Sequence, residues 1–279
     1  MPPPGPWGHN RQFSDTISGA DGSLVVSTEK GLDILGIKPI AEAISKVTTG
    51  TIDGAAAFLG RICLPAAEEF GLLLRDRVHQ WRAQNIAAIT EKAKAKLAAN
   101  AAPEDAHSHP RLVNSIIEQG SWIQDFEVQE MWAGLLASSC TESGDDESNL
   151  IFVTLLSRLT SLQVRVLNFA CENAQKYCSS NGLIGVSEDL VVTNDVLLSL
   201  TDETDVQRLD RELDYLRSVD LLQGGFEQDD LQLNAHLTPT SLAIHLYVRA
   251  QGSRRSPIDY FQLSPQPAEP GIPPPSEQA

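Results

Sequence analysis

Basic residues are scarce in this chain. Its 279 residues include 21 lysines and arginines against 37 aspartates and glutamates, which gives a formal net charge of −16. A phosphate backbone attracts cations and repels carboxylates, so this balance argues against general nucleic-acid binding. It still allows a small basic patch, but it makes nucleic acid an unexpected partner.

Cysteines are also few, and none is paired in a CxxC motif. The N-terminus, Met-Pro-Pro-Pro-Gly-Pro-Trp, lacks both the basic start and the apolar run of a secretory signal. Widely spaced cysteines in such a chain predict reduced thiols in the cytoplasm and not a disulfide framework. The four are Cys63, Cys140, Cys171 and Cys178.

No long hydrophobic run is present. The most apolar region, residues 51–74, is interrupted by Asp53, Arg61, Glu68 and Glu69, whereas a membrane-spanning helix needs about 20 mostly uncharged residues. We therefore expect no transmembrane segment. Peripheral membrane contact through residues 51–64 remains possible only if the apolar face of that segment is uncovered.

Sequence signatures of catalysis and cofactor binding are missing as well. The chain contains no GxSxG, GxxxxGK[ST] or GxGxxG motif. His107 and His109 share a loop with Glu104 and Asp105, but the spacing favours solvated histidines over a metal site. We predict a protein that is not an enzyme and has no catalytic, cofactor-binding or metal-binding residues.

The central part of the sequence shows helical periodicity, and the two ends of the chain differ from it in composition. Proline-, glycine- and serine-rich composition predicts a disordered N-terminal tail over residues 1–36 and a disordered proline-rich tail over residues 252–279. Between them we place a helical domain at residues 37–159 and a winged-helix-like domain at residues 160–251. The predicted fold class is therefore mainly α, with a short β-ribbon near the C-terminus.

In the helical domain, apolar spacing predicts a short helix between Ile37 and Val47. Pro65 should begin a long helix that runs to Lys96 or Leu97, because proline is tolerated at a first helical position and acidic residues follow it. Its length would be about 45 Å at 1.5 Å per residue.

The segment from Ser121 to Cys140 is predicted to be the central helix of this domain. Large apolar side chains recur there at helical spacing, with negative charge near the start, where the helix dipole favours it. Two tryptophans and a leucine pair suit either a helical core or an interface. The candidates are Trp122, Val128, Met131, Trp132, Leu135 and Leu136.

Beyond residue 159 the pattern changes to that of a winged helix. Thr160 and Gln163 form a capping box, which starts a helix expected to reach about Cys178 and to be ended by Asn181-Gly182. A short helix is expected within residues 187–200, and a second capping box at Thr204–Gln207 precedes another helix. The alternating apolar residues of 231–237 predict a strand of the ribbon, and a last helix begins after Thr238-Pro239.

The central helix resembles the main motif of a bacterial family, abortive infection alpha (Abi-alpha). That motif has an acidic residue, a Met-Trp pair and a Leu-Leu pair, here Glu130, Met131-Trp132 and Leu135-Leu136. The next apolar helix ending in Leu159-Thr160-Ser161, and later Leu221-Leu222 and Leu237-Thr238-Pro239, look like the rest of the family. The resemblance covers about residues 37–250 and implies a part in abortive infection, a defence against phage in which the infected cell stops growing or dies.

Three functions follow as hypotheses. The first is a non-enzymatic phage-defence protein that acts through contacts with a protein partner or with itself, or through a membrane surface. The second is a winged-helix regulator that contacts DNA through Arg208, Arg211 and Arg217, although residues 160–250 carry six basic and fourteen acidic side chains. The third is a helical ribonuclease toxin using Arg75 and His79, whose separation is shorter than such toxins usually have.

Overall fold

Helices form most of the structure, which confirms the mainly α prediction. The computed structural model describes residues 52–63, 65, 77–100, 102–103, 105–228 and 233–265. All of them belong to one compact unit, Thr48–Ala279. The predicted N-terminal tail, the predicted helix between Ile37 and Val47, and residues 266–279 of the predicted C-terminal tail lie outside the described residues.

In the second half of the chain, short strands are interspersed among the described helices. The helices are α1 (residues 52–62), α2 (Arg77–Ala99), α3 (Pro110–Gly120), α4 (Phe126–Ser138), α5 (Leu150–Leu156), α6 (Ser161–Asn173), α7 (Asn194–Thr201), α8 (Val206–Ser218), α9 (Ser241–Ala250) and α10 (Pro257–Phe261). The strands are β1 (Lys176–Cys178), β2 (Ile184–Val186), β3 (Val191–Thr193), β4 (Phe226–Gln228) and β5 (Leu233–His236).

The long helix of the N-terminal half is described from Arg77 to Ala99 as α2. Pro65, its predicted start, has helical conformation, and residues 66–76 lie outside the description. The 23 described residues span about 35 Å at 1.5 Å per residue. Buried side chains lie along one side of α2: Ala83, Ile86, Ile89 and Ala93.

Helix α4 is the centre of the core. Its N-cap, Asp125, accepts hydrogen bonds from the amides of Glu127 and Val128, and every residue from Met131 to Ser138 is buried. It packs against α2, α3 and α9. Contact with α9 is so close that a Cβ atom on Gly134 would lie 1.5 Å from the carbonyl oxygen of Ala250. The boundary at residue 159 between two domains stays a prediction.

Capping explains where two later helices begin. Thr160 and Gln163 form the expected capping box at the start of α6, which confirms that prediction. The second box is wrong, because Asp205 and not Thr204 caps α8 by accepting from the amides of Gln207 and Arg208. The amide of Thr204 instead donates to the Glu203 carboxylate, 2.9 Å away.

A β-hairpin follows α6 where the sequence predicted more helix. The helix ends at Asn173, not near Cys178. Strands β1 and β2 then pair antiparallel, with Tyr177 opposite Gly185. Gly182 in the connecting turn has a φ of 78°, a left-handed conformation that glycine adopts without steric cost. Asn181-Gly182 therefore marks a hairpin turn and not a helix end.

Three short strands form the second sheet, in the order β3-β5-β4, and all pairs are antiparallel. The predicted strand at residues 231–237 corresponds to β5. The prediction of a helix within residues 187–200 is only partly right, because Val191–Thr193 is strand β3 and α7 begins at Asn194. Val192 pairs with Ala235, a contact between residues too distant in sequence for local periodicity to reveal.

Residues 253–265 fall within the range predicted to be a disordered tail, and that prediction is wrong for them because they include a helix and packed side chains. Ser256 caps α10 by accepting from the amide of Asp259. Phe261 stacks on Tyr247 of α9 with ring centroids 6.4 Å apart, and Lys176 Nζ lies 4.6 Å from the Phe261 ring centroid. These contacts hold residues 257–261 on the outside of α9.

Among the helices of the described ranges, we find none with the length and apolar character needed to cross a bilayer. In α1, four apolar side chains are already buried: Ala55, Phe58, Leu59 and Ile62. Peripheral insertion of this segment would therefore have to uncover them, and it stays a prediction.

Candidate interaction surface

The structure divides the six core or interface candidates into two groups. Trp122 is exposed, with 53% of its surface accessible. The other five lie in the core on α4, and Trp132 is completely inaccessible. They are Val128, Met131, Trp132, Leu135 and Leu136. The buried five thus support the fold, and Trp122 is the member of the set that is available for contact with another molecule.

Two groups of aromatic and basic side chains lie in this part of the molecule, and we call them together the Trp122 surface: Trp81 and Arg82 beside Trp122, and Lys92 beside Phe126. Trp122 and Phe126 are exposed, whereas Trp81, Arg82 and Lys92 are half-buried. The rings of Trp81 and Trp122 have centroids 6.0 Å apart. The Arg82 guanidinium carbon lies 4.4 Å from the Trp122 ring centroid. Phe126 is 68% exposed, and Lys92 Nζ lies 3.5 Å from its ring centroid.

The turn that carries Trp122 is fixed by hydrogen bonds from two helices. Arg82 Nε donates to Ser121 Oγ at 2.9 Å, and Asn85 Nδ2 donates to the Ser121 carbonyl oxygen at 2.8 Å. On the other side, Gln129 Nε2 donates to the carbonyl oxygen of Ile123 at 2.9 Å. Ser121, Asn85 and Gln129 are buried. The backbone on both sides of Trp122 is therefore held in place before any partner binds, which lowers the entropic cost of association.

Charge on this side of the molecule is organised around Glu130. Its carboxylate accepts from Lys92 at 3.2 Å and from Lys96 at 3.0 Å. Burial raises the pKa of Glu130, but the hydrogen bonds from Lys96 and Lys92 outweigh it, so the net pKa is lowered. The glutamate is therefore ionised at neutral pH and holds Lys92 next to Phe126.

The sequence identified Trp122 as a core or interface candidate, but it did not identify the other residues of this surface. Trp81 lies on α2, where it is half-buried against Trp122. Phe126 is the first residue of α4, and its exposure depends on how α4 packs against α2. One sequence signal was available, because Trp122 precedes the N-cap Asp125 and so lies outside the periodic stripe of α4.

The three arginines that the winged-helix hypothesis assigns to DNA contact are all paired with carboxylates. Arg208 contacts Glu203 at 2.6 Å, Arg211 contacts Glu212 at 3.0 Å, and Arg217 contacts Asp214 at 2.7 Å. In the ribbon, Glu227 contacts His236 at 2.5 Å. DNA would have to compete with these carboxylates for each guanidinium, and phosphate contacts are the main source of DNA affinity.

The loop histidines have structural roles. His109 Nδ1 accepts from the amide of Arg111 at 3.3 Å at the start of α3, and the His107 backbone pairs with that of Thr141. No group of three or more metal-ligating side chains occurs in the described ranges. Arg75 lies outside these ranges, and for His79 only the backbone, within α2, is described.

Two of the buried thiols are held in the protonated form. Burial raises the pKa of Cys140 to about 11 and that of Cys171 still further. Since the thiolate is the reactive form of cysteine, neither residue has the properties of a nucleophile at neutral pH.

Comparison with known protein families assigns the chain to one of them. The model of the family described as abortive infection alpha matches residues 82–256, more than half of the chain. This chain belongs to the abortive infection alpha family. The match confirms the family inferred from Met131-Trp132 and Leu135-Leu136, although it begins later than the resemblance at residues 37–250 suggested.

The matched range of the abortive infection alpha family includes α4, the sheet β3-β5-β4 and four residues of the Trp122 surface: Arg82, Lys92, Trp122 and Phe126. No curated protein and no solved structure matches the chain.

Proposed function

We propose that this protein acts in abortive infection in the bacterial cytoplasm, without catalysis of its own, by binding another protein through the Trp122 surface. Membership of the abortive infection alpha family supports the biological role. The exposure of Trp122 on a turn fixed by Arg82, Asn85 and Gln129 supports the mode of action.

The chemistry of this surface suits protein recognition. Single exposed apolar residues are ordinary, but here two large aromatic rings lie beside an arginine and a lysine. Tryptophan and arginine are enriched among the residues that contribute most to binding energy at protein interfaces. Arg82 lies over the Trp122 ring and Lys92 lies over the Phe126 ring, so that a partner meets an aromatic and a basic group together at each of the two places.

The first prediction concerns Trp122→Ala. A host expressing the wild-type chain should give fewer phage plaques, with collapse of the culture only at a high phage dose. The variant should lose most of this protection, because removing a central interface tryptophan costs about 2 kcal/mol or more of binding, roughly a 30-fold loss of affinity. Plaque counts and culture survival at two phage doses measure the effect.

A matched control is Leu183→Ala, which also removes a large exposed apolar side chain, 68% accessible, from the β1–β2 hairpin. It should protect as well as the wild type. Both variants should retain the wild-type melting temperature within a few degrees. Full protection by folded Trp122→Ala would contradict the proposed role of this surface.

The second candidate is a nucleic-acid-associated regulator, because the topology of the C-terminal half favours a winged-helix-like module. After α6 and the β1–β2 hairpin, the order is β3, α7, α8, β4 and β5, with β5 between β3 and β4 in the sheet. In such modules the helix before the ribbon, here α8, enters the major groove. The pairing of Arg208, Arg211 and Arg217 with carboxylates supports a protein-binding or structural module instead.

An electrophoretic shift assay at low salt separates the two candidates. We expect no shift of duplex DNA, because the arginines of α8 are neutralised and the ribbon carries Glu227. Salt-sensitive binding that Arg208→Ala and Arg211→Ala weaken would favour the regulator. Arg158→Ala, which removes an exposed arginine after α5, is the control and should leave any binding unchanged.

A further inference from the structure

A cavity of about 200 Å³ lies where three parts of the fold meet, and we call it the Arg254 cavity. The end of α2 contributes Leu97, and the end of α4 contributes Ala137 and Cys140. The turn between α9 and α10 contributes Arg254 and Arg255, which are consecutive in the sequence. The cavity therefore combines an apolar wall with two guanidinium groups.

Positive charge collects at this cavity, although the chain as a whole has a formal net charge of −16. Arg254 and Arg255 are both exposed, and no described carboxylate lies within 4.0 Å of either as an ion-pair partner. The described residues that line the cavity include no aspartate or glutamate. Burial raises the pKa of the Cys140 thiol, and the described charges that oppose this rise are those of Arg61 and Arg254. The local charge is thus opposite in sign to that of the whole chain.

The carboxylates in this part of the molecule do not cancel that charge. The pKa of Asp146 is lowered first by hydrogen bonds from Ser148 and then by the charges of Arg249 and Arg254. No other described carboxylate affects the pKa of Arg249 or of the Cys140 thiol. If the exposed Asp105 is counted as well, two carboxylates stand against four arginines, an excess of two positive charges. The arginines are Arg61, Arg249, Arg254 and Arg255.

The backbone that carries the two lining arginines is fixed. Asn100 Nδ2 donates to the Gly252 carbonyl oxygen at 3.2 Å, and the Arg255 amide donates to Ser253 Oγ at 3.2 Å. Gly252 has a φ of 85°, and a Cβ atom there would lie 3.1 Å from Lys96 Cβ, so the turn lies close against α2. The arginines therefore start from a backbone that is already in position, which lowers the entropic cost of binding a ligand.

Two adjacent guanidinium groups favour phosphate among the common anions. Each presents N–H donors in a planar fork that matches phosphate oxygens, and a phosphate monoester carries about −1.5 to −2 charge at neutral pH. A carboxylate has less charge and one oxygen fewer to accept from the two groups. The remaining wall suits a carbon group, since Leu97, Pro103 and Ala137 are apolar. The volume favours a small ester, because pockets for drug-sized ligands measure about 300–1,000 Å³.

We propose that the Arg254 cavity binds a small organic phosphate monoester. The phosphate oxygens accept hydrogen bonds from Arg254 and Arg255, and the carbon group packs against Leu97, Pro103 and Ala137. The cavity is at the C-terminal end of α4 and the Trp122 surface is at its N-terminal end. The 13 residues of α4 separate them by about 20 Å at 1.5 Å per residue. Binding here is therefore independent of the proposed protein contact.

Isothermal titration calorimetry of the full chain with phenyl phosphate tests this proposal. We expect saturable binding with one site per chain. Benzyl alcohol, which has the ring without the charge, should show no saturable binding. Inorganic phosphate has the charge without the ring and should bind about tenfold more weakly, because it buries no apolar surface. No binding of phenyl phosphate, or equal affinity for inorganic phosphate, would overturn the proposal.

Two substitutions locate the site. Arg254→Gln and Arg255→Gln should each weaken phenyl phosphate binding about tenfold, the range expected when a hydrogen bond to a charged group loses its charge. Arg158→Gln removes another exposed arginine that has no ion pair in the described ranges, and it should leave the affinity unchanged. All three variants should keep the wild-type melting temperature within a few degrees. Unaltered affinity in both cavity variants, or an equal loss in Arg158→Gln, would refute the assignment.

Two further ligands test the chemical class. Benzoate has the ring with a single carboxylate charge and should bind more weakly than phenyl phosphate, so equal or tighter binding would refute the choice of phosphate. A short phosphoserine peptide, blocked at both ends, presents the same phosphate on a protein chain. It should bind no more tightly than phenyl phosphate. Tighter binding would assign the cavity to a phosphorylated protein and overturn the small-ester proposal.

Discussion

Replacing Trp132 with alanine should lower the free energy of unfolding by about 3–5 kcal/mol, the range for removing a large aromatic side chain from a packed core. The ring is completely buried on α4. A Cβ atom on Gly120, at the end of α3, would lie 3.6 Å from it, so the ring fills the space between α3 and α4. Urea denaturation of the purified variant measures the loss.

Trp132→Phe is the matched control for this substitution. The Nε1 atom of Trp132 is buried and has no hydrogen-bond partner among the described residues, so phenylalanine keeps most of the apolar ring and removes an unsatisfied donor. The loss in free energy of unfolding should be well under half of that for Trp132→Ala. Removing the unsatisfied N–H donor stabilises the folded state by about 1–3 kcal/mol, which offsets part of the cost of the lost ring contacts. An unchanged denaturation midpoint for Trp132→Ala would instead place this tryptophan on an exposed interface.

Gly134→Ala should destabilise the protein by about 3 kcal/mol or more, beyond the usual 1–3 kcal/mol for an added methyl group in a core. The new Cβ would lie 1.5 Å from the carbonyl oxygen and 2.2 Å from the carbonyl carbon of Ala250. Because these are backbone atoms, no side-chain rotation relieves the overlap, and α4 and α9 must move apart. Thermal unfolding should show a melting temperature lower by roughly 6 °C or more.

The same substitution at Gly54 is the control. A Cβ there would lie 3.6 Å from Glu91 Oε1 and 3.7 Å from Lys94 Nζ, which are ordinary contact distances. Alanine favours a helix over glycine by about 1 kcal/mol, so Gly54→Ala in α1 should be neutral or stabilising. If Gly134→Ala were equally harmless, α4 and α9 would not cross as closely as the structure shows.

Local sequence was sufficient wherever a feature depends on neighbouring residues. The apolar spacing of Val128, Met131, Trp132 and Leu135 defines α4, and the Thr160–Gln163 box begins α6. The Met-Trp and Leu-Leu pairs were enough to identify the family. These signals are reliable because helical periodicity and capping involve residues at most four positions apart.

Tertiary structure alone decided the features that depend on distant residues. Strand β3 exists because Val192 pairs with Ala235, and its three residues are too short to show a period of their own. Trp122 and Trp132 have the same side chain in the same segment, yet one is exposed and the other is buried. That difference is set by where α2, α3 and α9 cover α4, and surface coverage by remote elements is not encoded in the spacing of nearby residues.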